Sequence, residues 1–150
     1  MVHEPRNILA IDPGKTSGIA LWRPHQGHNC WEEPGGLEGV ARELNDWVEA
    51  FLIDTIVIEK FTIGAKKGVM TSQYDAVYLN GYVLGLEASG ADFVVKQQPV
   101  TMVKTFATNA KLKKLGWYMG GEGHADDASR HLLTYLSGHQ CGQELLERLI

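Results

Sequence analysis

The stretch Asn7 to Trp22, NILAIDPGKTSGIALW, constrains this chain more than any other. An apolar strand from Ile8 to Asp12 ends in a carboxylate, turns through Pro13-Gly14 and a bend of small residues, and enters a second apolar strand of roughly Ser17 to Trp22. So short a connection makes the two strands an antiparallel hairpin. An acid at the carboxyl end of a buried strand is costly unless a metal, a cation or a phosphate meets it. Asp-Pro-Gly is also a common turn, so Asp12 gains meaning only if other acids converge on it.

The order of the remaining elements says whether they do. A third short strand near Asn29 to Glu33 stops at Pro34-Gly35-Gly36, and Leu37, Val40, Ala41, Leu44, Trp47, Val48 and Phe51 then recur at helical spacing. Thr55 to Glu59 is a β-branched run with no polar alternation, as in an interior parallel strand covered on both faces. Reached through a helix, it lies parallel to the first strand by the usual crossover, which puts Asp12 and Glu59 at the same end of the sheet. A helix from Thr71 to Ala88 carries apolar residues on two stripes, one for the sheet and one for a second subunit. Asp92 to Gln97 makes a fifth strand, and Pro99 opens a short helix containing Val100, Val103 and Phe106. Thr108 to Gly123 reads as irregular; one helix then runs from about Asp126 through Tyr135, and another from Gln143 to Ile150. The expectation is a single α/β domain over residues 1–150, with a mixed five-stranded sheet and helices on both faces.

The last acidic cluster is His124-Ala125-Asp126-Asp127-Ala128. His124 and Asp127 are three apart and share a helix face, whereas Asp126 points about 100° away and suits a capping role. With Asp12 and Glu59 they form an oxygen-rich set with one nitrogen, suited to Mg²⁺ and open to Mn²⁺. Two such ions, bridged by Asp12, can activate water on one side of a phosphodiester and stabilise the leaving oxygen on the other.

Charge is distributed to match. Although the net charge is −4, the segment from Lys60 to Lys114 holds eight basic residues against three acids, leaving −9 elsewhere. That segment, with a cationic loop at Ile63 to Val69, offers phosphate a basic face. Cys30 and Cys141 have neither Cys-x-x-Cys spacing nor a His partner at zinc-ligand spacing, so both are expected to be reduced and structural, and zinc is not the expected metal. Neither a bilayer-length apolar run nor a signal-type hydrophobic segment is present, so a cytoplasmic location and no membrane partner are expected.

These pieces together resemble the RuvC family of Holliday junction resolvases. The resemblance is carried by Ile11-Asp12-Pro13-Gly14 with Thr16 and Gly18, the strand ending Ile58-Glu59, Pro99 with Val103-Lys104, and Ala125-Asp126-Asp127-Ala128. It implies a ribonuclease H-like fold and a magnesium-dependent endonuclease that nicks two like strands of a four-way DNA junction, a two-fold substrate that the second apolar stripe of the Thr71 to Ala88 helix would match with a homodimer. Asp12, Glu59 and Asp127 would be metal ligands, and His124 falls where members carry Asp or His. Lys104 would lie near the scissile phosphate, with Lys111, Lys113 or Lys114 as a second basic residue. Phe61 resembles the family's wedge against base pairs at the crossover, and Lys66 and Lys67 would join the DNA face.

The chain also departs from the pattern. Only Leu115 to Gly123 separates Lys114 from His124, where members usually have a helix, so a compact, relaxed-specificity form of the bacteriophage kind is expected. Two rivals share parts of the signature. A nuclease of the same fold acting on RNA–DNA hybrid or flap DNA would use the same carboxylates. Asp12-x-Gly-x-Thr16 also resembles the phosphate loop of actin-like ATPases, which need two lobes that 150 residues cannot supply.

Overall fold

The structure, a computed structural model, describes residues 4–61 and 74–150. Five strands form one sheet: β1 (Ile8–Asp12), β2 (Thr16–Arg23), β3 (Gly27–Pro34), β4 (Thr55–Glu59) and β5 (Val94–Gln98), in the order β3-β2-β1-β4-β5. The hairpin expected from the sequence is present, with Asp12 paired antiparallel to Gly18. β4 runs parallel to both β1 and β5.

Both faces of the sheet are covered, which is why β1 and β4 read as continuous apolar runs. Side chains alternate across a strand, so Leu9 and Ile11 of β1 join Ile56 and Ile58 of β4 in a core completed by α1 (Gly36–Phe51) and α2 (Tyr74–Ala88). Ile8, Ala10 and Val57 face the other way, onto α5 (His124–Ser137). Each fully buried Leu or Ile contributes about 1.5–3 kcal/mol, and Leu9, Ile11, Ile56 and Ile58 are all inaccessible to water. That burial fixes the strand register, and the register fixes where the strand ends lie.

The segment Thr108 to Gly123 is not wholly irregular, which corrects the sequence expectation. α3 (Val100–Phe106) is followed by α4 (Asn109–Leu115), whose first turn is capped by Thr108 Oγ1 accepting from the Lys111 amide at 3.3 Å. Leu112 and Leu115 are buried on its inner side, and Gly116 ends it in the left-handed region at φ 75°. The lysine run advertised charge, while the apolar face amounted to only two leucines. α6 (Gln143–Glu147) closes the chain after a 3-10 turn at Gln140–Gly142.

α2 has the two-sided character its sequence implied. Leu79, Asn80 and Val83 are buried, and Tyr82 packs against the same core, while Tyr74, Val77 and Tyr78 are exposed, the two tyrosine rings stacked at 6.2 Å. The start expected for this helix, Thr71 to Gln73, lies outside the described residues, as do Lys66 and Lys67. Cys30 and Cys141 are free thiols that burial pushes above their ordinary pKa. No helix among the described residues is long and apolar enough to cross a membrane.

Candidate active site

The parallel pairing of β1, β4 and β5 brings Asp12, Glu59 and Gln98 to one end of the sheet, with Glu59 directly opposite Gln98. Alternation from Ala10 and Val57, which face α5, puts Asp12 and Glu59 on that same side. Asn80 anchors the strand end from the opposite face. Its amide donates to the Glu59 carbonyl at 3.1 Å and to the Ala76 carbonyl at 2.9 Å, and its oxygen accepts from Gln97 at 2.9 Å.

α5 reaches this corner because Gly18 lets it. A β-carbon at Gly18 would lie 1.7 Å from the His124 carbonyl oxygen, so the first turn of α5 is seated on the bare backbone of β2. One ligand atom each from Asp12, Glu59 and His131 then lie within 4.8 Å of one another. Asp127 and His124, the two α5 residues singled out by the sequence, are outside that group. Asp127 nevertheless acts on it, its charge raising the Asp12 pKa, and Glu59, Lys104, Asp127, Arg130 and His131 line a cavity of about 130 Å³.

His131 escaped the sequence reading, although the signal was there. It stands four residues after Asp127 and seven after His124, on the same helical stripe. Its Nδ1 lies 2.8 Å from the buried Gln98 Oε1, and its Nε2 lies 3.4 Å from Glu59 Oε2. With Nδ1–H donating to the amide oxygen, Nε2 turns toward a carboxylate, and a positive charge is needed between them, either a proton or a metal.

The carboxylate pair shows the same demand. Burial, then the hydrogen bond to Glu59 and its charge, push Asp12 up to about 9. Burial would raise Glu59 too, but hydrogen bonds from His131 and Asp12, together with the Lys104 charge, outweigh it and hold Glu59 at about 2. Two carboxylates in contact repel when both are charged, a demand that a cation between them would meet. Hard oxygen donors with one imidazole fit a Mg²⁺ or Mn²⁺ ion.

Asp126 does not cap the helix amides. It is 2 % exposed and accepts from the backbone amides of Met119 and Gly120 at 2.7 and 2.9 Å, stapling the preceding loop onto α5. Among the basic residues, Lys104 is exposed and close enough to lower both carboxylates. Lys111 donates to the Phe106 carbonyl at 2.8 Å and sits over the Phe106 ring, Lys113 lies over the Tyr118 ring, and Lys114 reaches the carbonyls of Leu149 and Ile150. Phe61 is partly buried.

Two solved structures from Thermus thermophilus share this architecture. RuvC in complex with Holliday junction substrate aligns with a TM-score of 0.59 at 17 % identity over 93 % of this chain and 96 % of that one. This is the RuvC fold. A second RuvC structure gives a TM-score of 0.56 at 15 % identity over the same fractions, so the RuvC likeness spans nearly the whole of both chains and is ribonuclease H-like in its mixed sheet. No protein-family model and no curated protein matches the sequence.

Proposed function

We propose that this protein is a divalent-metal-dependent endonuclease that resolves four-way DNA junctions by paired nicking. The observation that carries the reading is the convergence of Asp12, Glu59 and His131 ligand atoms within 4.8 Å at the parallel strand ends. It occurs on the fold of a protein solved in complex with Holliday junction substrate.

In this reading Asp12 and Glu59 hold Mg²⁺, with Mn²⁺ able to substitute, and Asp127, His124 and His131 complete the ligand set for two ions. When bound, the metal supplies an activated water and neutralises charge on the phosphodiester. The chain's own residues prepare for this. Gln98 fixes the His131 ring, Asn80 fixes the end of β4, and the desolvated Asp12 would hold the cation in its deprotonated form. Lys104 places a charge at the cavity rim where a phosphate would lie.

The DNA face in this proposal comprises Phe61, Lys66, Lys67, Lys104, Lys111, Lys113 and Lys114. A four-way junction presents two equivalent strands, and a two-fold pair of sites matches that symmetry, so the exposed Tyr74-Val77-Tyr78 face of α2 is assigned to a homodimer contact. The test is digestion of junction, flap, duplex and RNA–DNA hybrid substrates side by side with Mg²⁺ and with Mn²⁺, across a salt series. Symmetric nicks in the junction and a steep salt dependence are expected. Preferential cleavage of hybrid or flap DNA would reassign the substrate while leaving the metal chemistry in place.

A further inference from the structure

Arg130 is a cation of the cleft that the metal site does not use. Its side chain is 16 % exposed, so a permanent charge is mostly removed from water. A guanidinium carries five N–H donors, and a buried one is ordinarily gripped by a carboxylate in a two-pronged arrangement. Here the grip is loose. Nη2 donates to Asn109 Oδ1 of α4, Nε stands 3.7 Å from Asp127 Oδ1, beyond hydrogen-bond length, and Nη1 is buried with no acceptor among the described residues. An unmet buried donor is unfavourable and marks a place where an acceptor is missing.

The same side chain lines the cavity that holds Glu59, Lys104, Asp127 and His131. At about 130 Å³, that space has room for a phosphate group. Lys111 and Lys114 donate to backbone carbonyls, whereas Arg130 still has donors to offer. Asp127 lies between Arg130 and the Asp12–Glu59 pair in the chain of interactions, since it touches the one and acts on the other. The guanidinium is thus one group removed from the reacting centre.

We propose that Arg130 binds a phosphate adjoining the scissile one, with Asn109 holding the guanidinium in place. This rests on the reading of the cleft as a phosphodiester-cleaving site. The alternative is that Arg130 only struts α4 against α5, and a chemical double cycle separates the two. Junctions carrying a single uncharged methylphosphonate at the linkage 5′ or 3′ of the cleavage point are nicked by the unmodified protein and by Arg130→Gln, both with Mn²⁺.

Removing one bidentate phosphate contact should slow the Arg130→Gln protein about 100-fold on the unmodified junction. At one linkage the methylphosphonate should slow the unmodified protein at least about tenfold and slow Arg130→Gln no further. Near-normal nicking by a folded Arg130→Gln, or losses that simply multiply at both linkages, would overturn the proposal. If Arg130→Gln does not fold, Arg130→Lys carries the same cycle. It keeps the charge and loses the fork, so it should show a reduced sensitivity at that same linkage; full sensitivity there would overturn the proposal. A protein that nicks no junction at all would overturn the underlying nuclease reading, an outcome distinct from either.

Discussion

The seat of α5 on Gly18 makes a residue with no side chain of its own decisive for where the residues of that helix lie. In Gly18→Ala the new β-carbon would begin 1.7 Å from the His124 carbonyl oxygen, 2.3 Å from its carbon and 3.1 Å from the Ala125 nitrogen. Side-chain β-carbons essentially never sit closer than 3.0 Å to such atoms, so helix and strand must part by at least about 1.3 Å. β2 is held between β1 and β3 by hydrogen bonds on both edges, which leaves α5 as the part that moves. Asp127 and His131 ride on that helix. Overpacking of this kind costs about 1–3 kcal/mol of stability, while a displacement of about 1 Å in a catalytic group costs on the order of 100-fold in rate. The comparison protein is Gly39→Ala, which meets the Pro34 carbonyl oxygen at 1.8 Å on α1, across the sheet from the site. Both variants should melt lower in thermal denaturation, yet only Gly18→Ala should lose nicking when assayed at a temperature where each remains folded. Normal nicking by Gly18→Ala, or equal losses in both variants, would refute the claim that α5 delivers the site.

Other perturbations have definite outcomes. Asp12→Asn or Glu59→Gln should lower cleavage by several orders of magnitude while gel-shift affinity for the junction stays nearly unchanged; normal turnover by either would remove the metal site from the account. Tyr78→Glu should yield a folded monomer in sedimentation and uncoupled single nicks, because Tyr78 is exposed on α2, whereas Tyr82 packs into the core and a charge there should destabilise the fold; a monomeric unmodified protein that still nicks in pairs would contradict the dimer. Burial holds His28 down to about 4, beneath its ordinary 6.5, against the raising effect of the Asp126 charge. Its unfolded form therefore takes up a proton first as pH falls, and stability should drop by up to about 3 kcal/mol between pH 6.5 and pH 4. Denaturant titrations of the unmodified protein and His28→Gln across that window should differ in slope, and identical pH profiles would show that His28 is not the linked group.

The sheet was readable because its signals are local and mutually consistent. β1 and β4 are unbroken apolar runs that end in acids, and the crossover rule alone aligned Asp12 with Glu59. α4 was hidden because Lys111, Lys113 and Lys114 surround the two leucines that bury it. His131 was hidden for another reason: it sits among Leu132, Leu133 and Leu136 in the core of α5, where a histidine resembles filler until Gln98, from a strand over thirty residues earlier, is found beside it. The loose contacts of Arg130 depend on Asn109 and Asp127 together, a juxtaposition no spacing rule encodes.

Anomalous diffraction at the manganese edge, from crystals of the protein soaked in Mn²⁺, tests the central claim most directly. The account predicts a peak within about 2.0–2.3 Å of carboxylate oxygens of both Asp12 and Glu59, which disappears in crystals of Asp12→Asn. A manganese peak elsewhere, or none at Asp12 and Glu59 in a protein that nicks junctions with Mn²⁺, would contradict it.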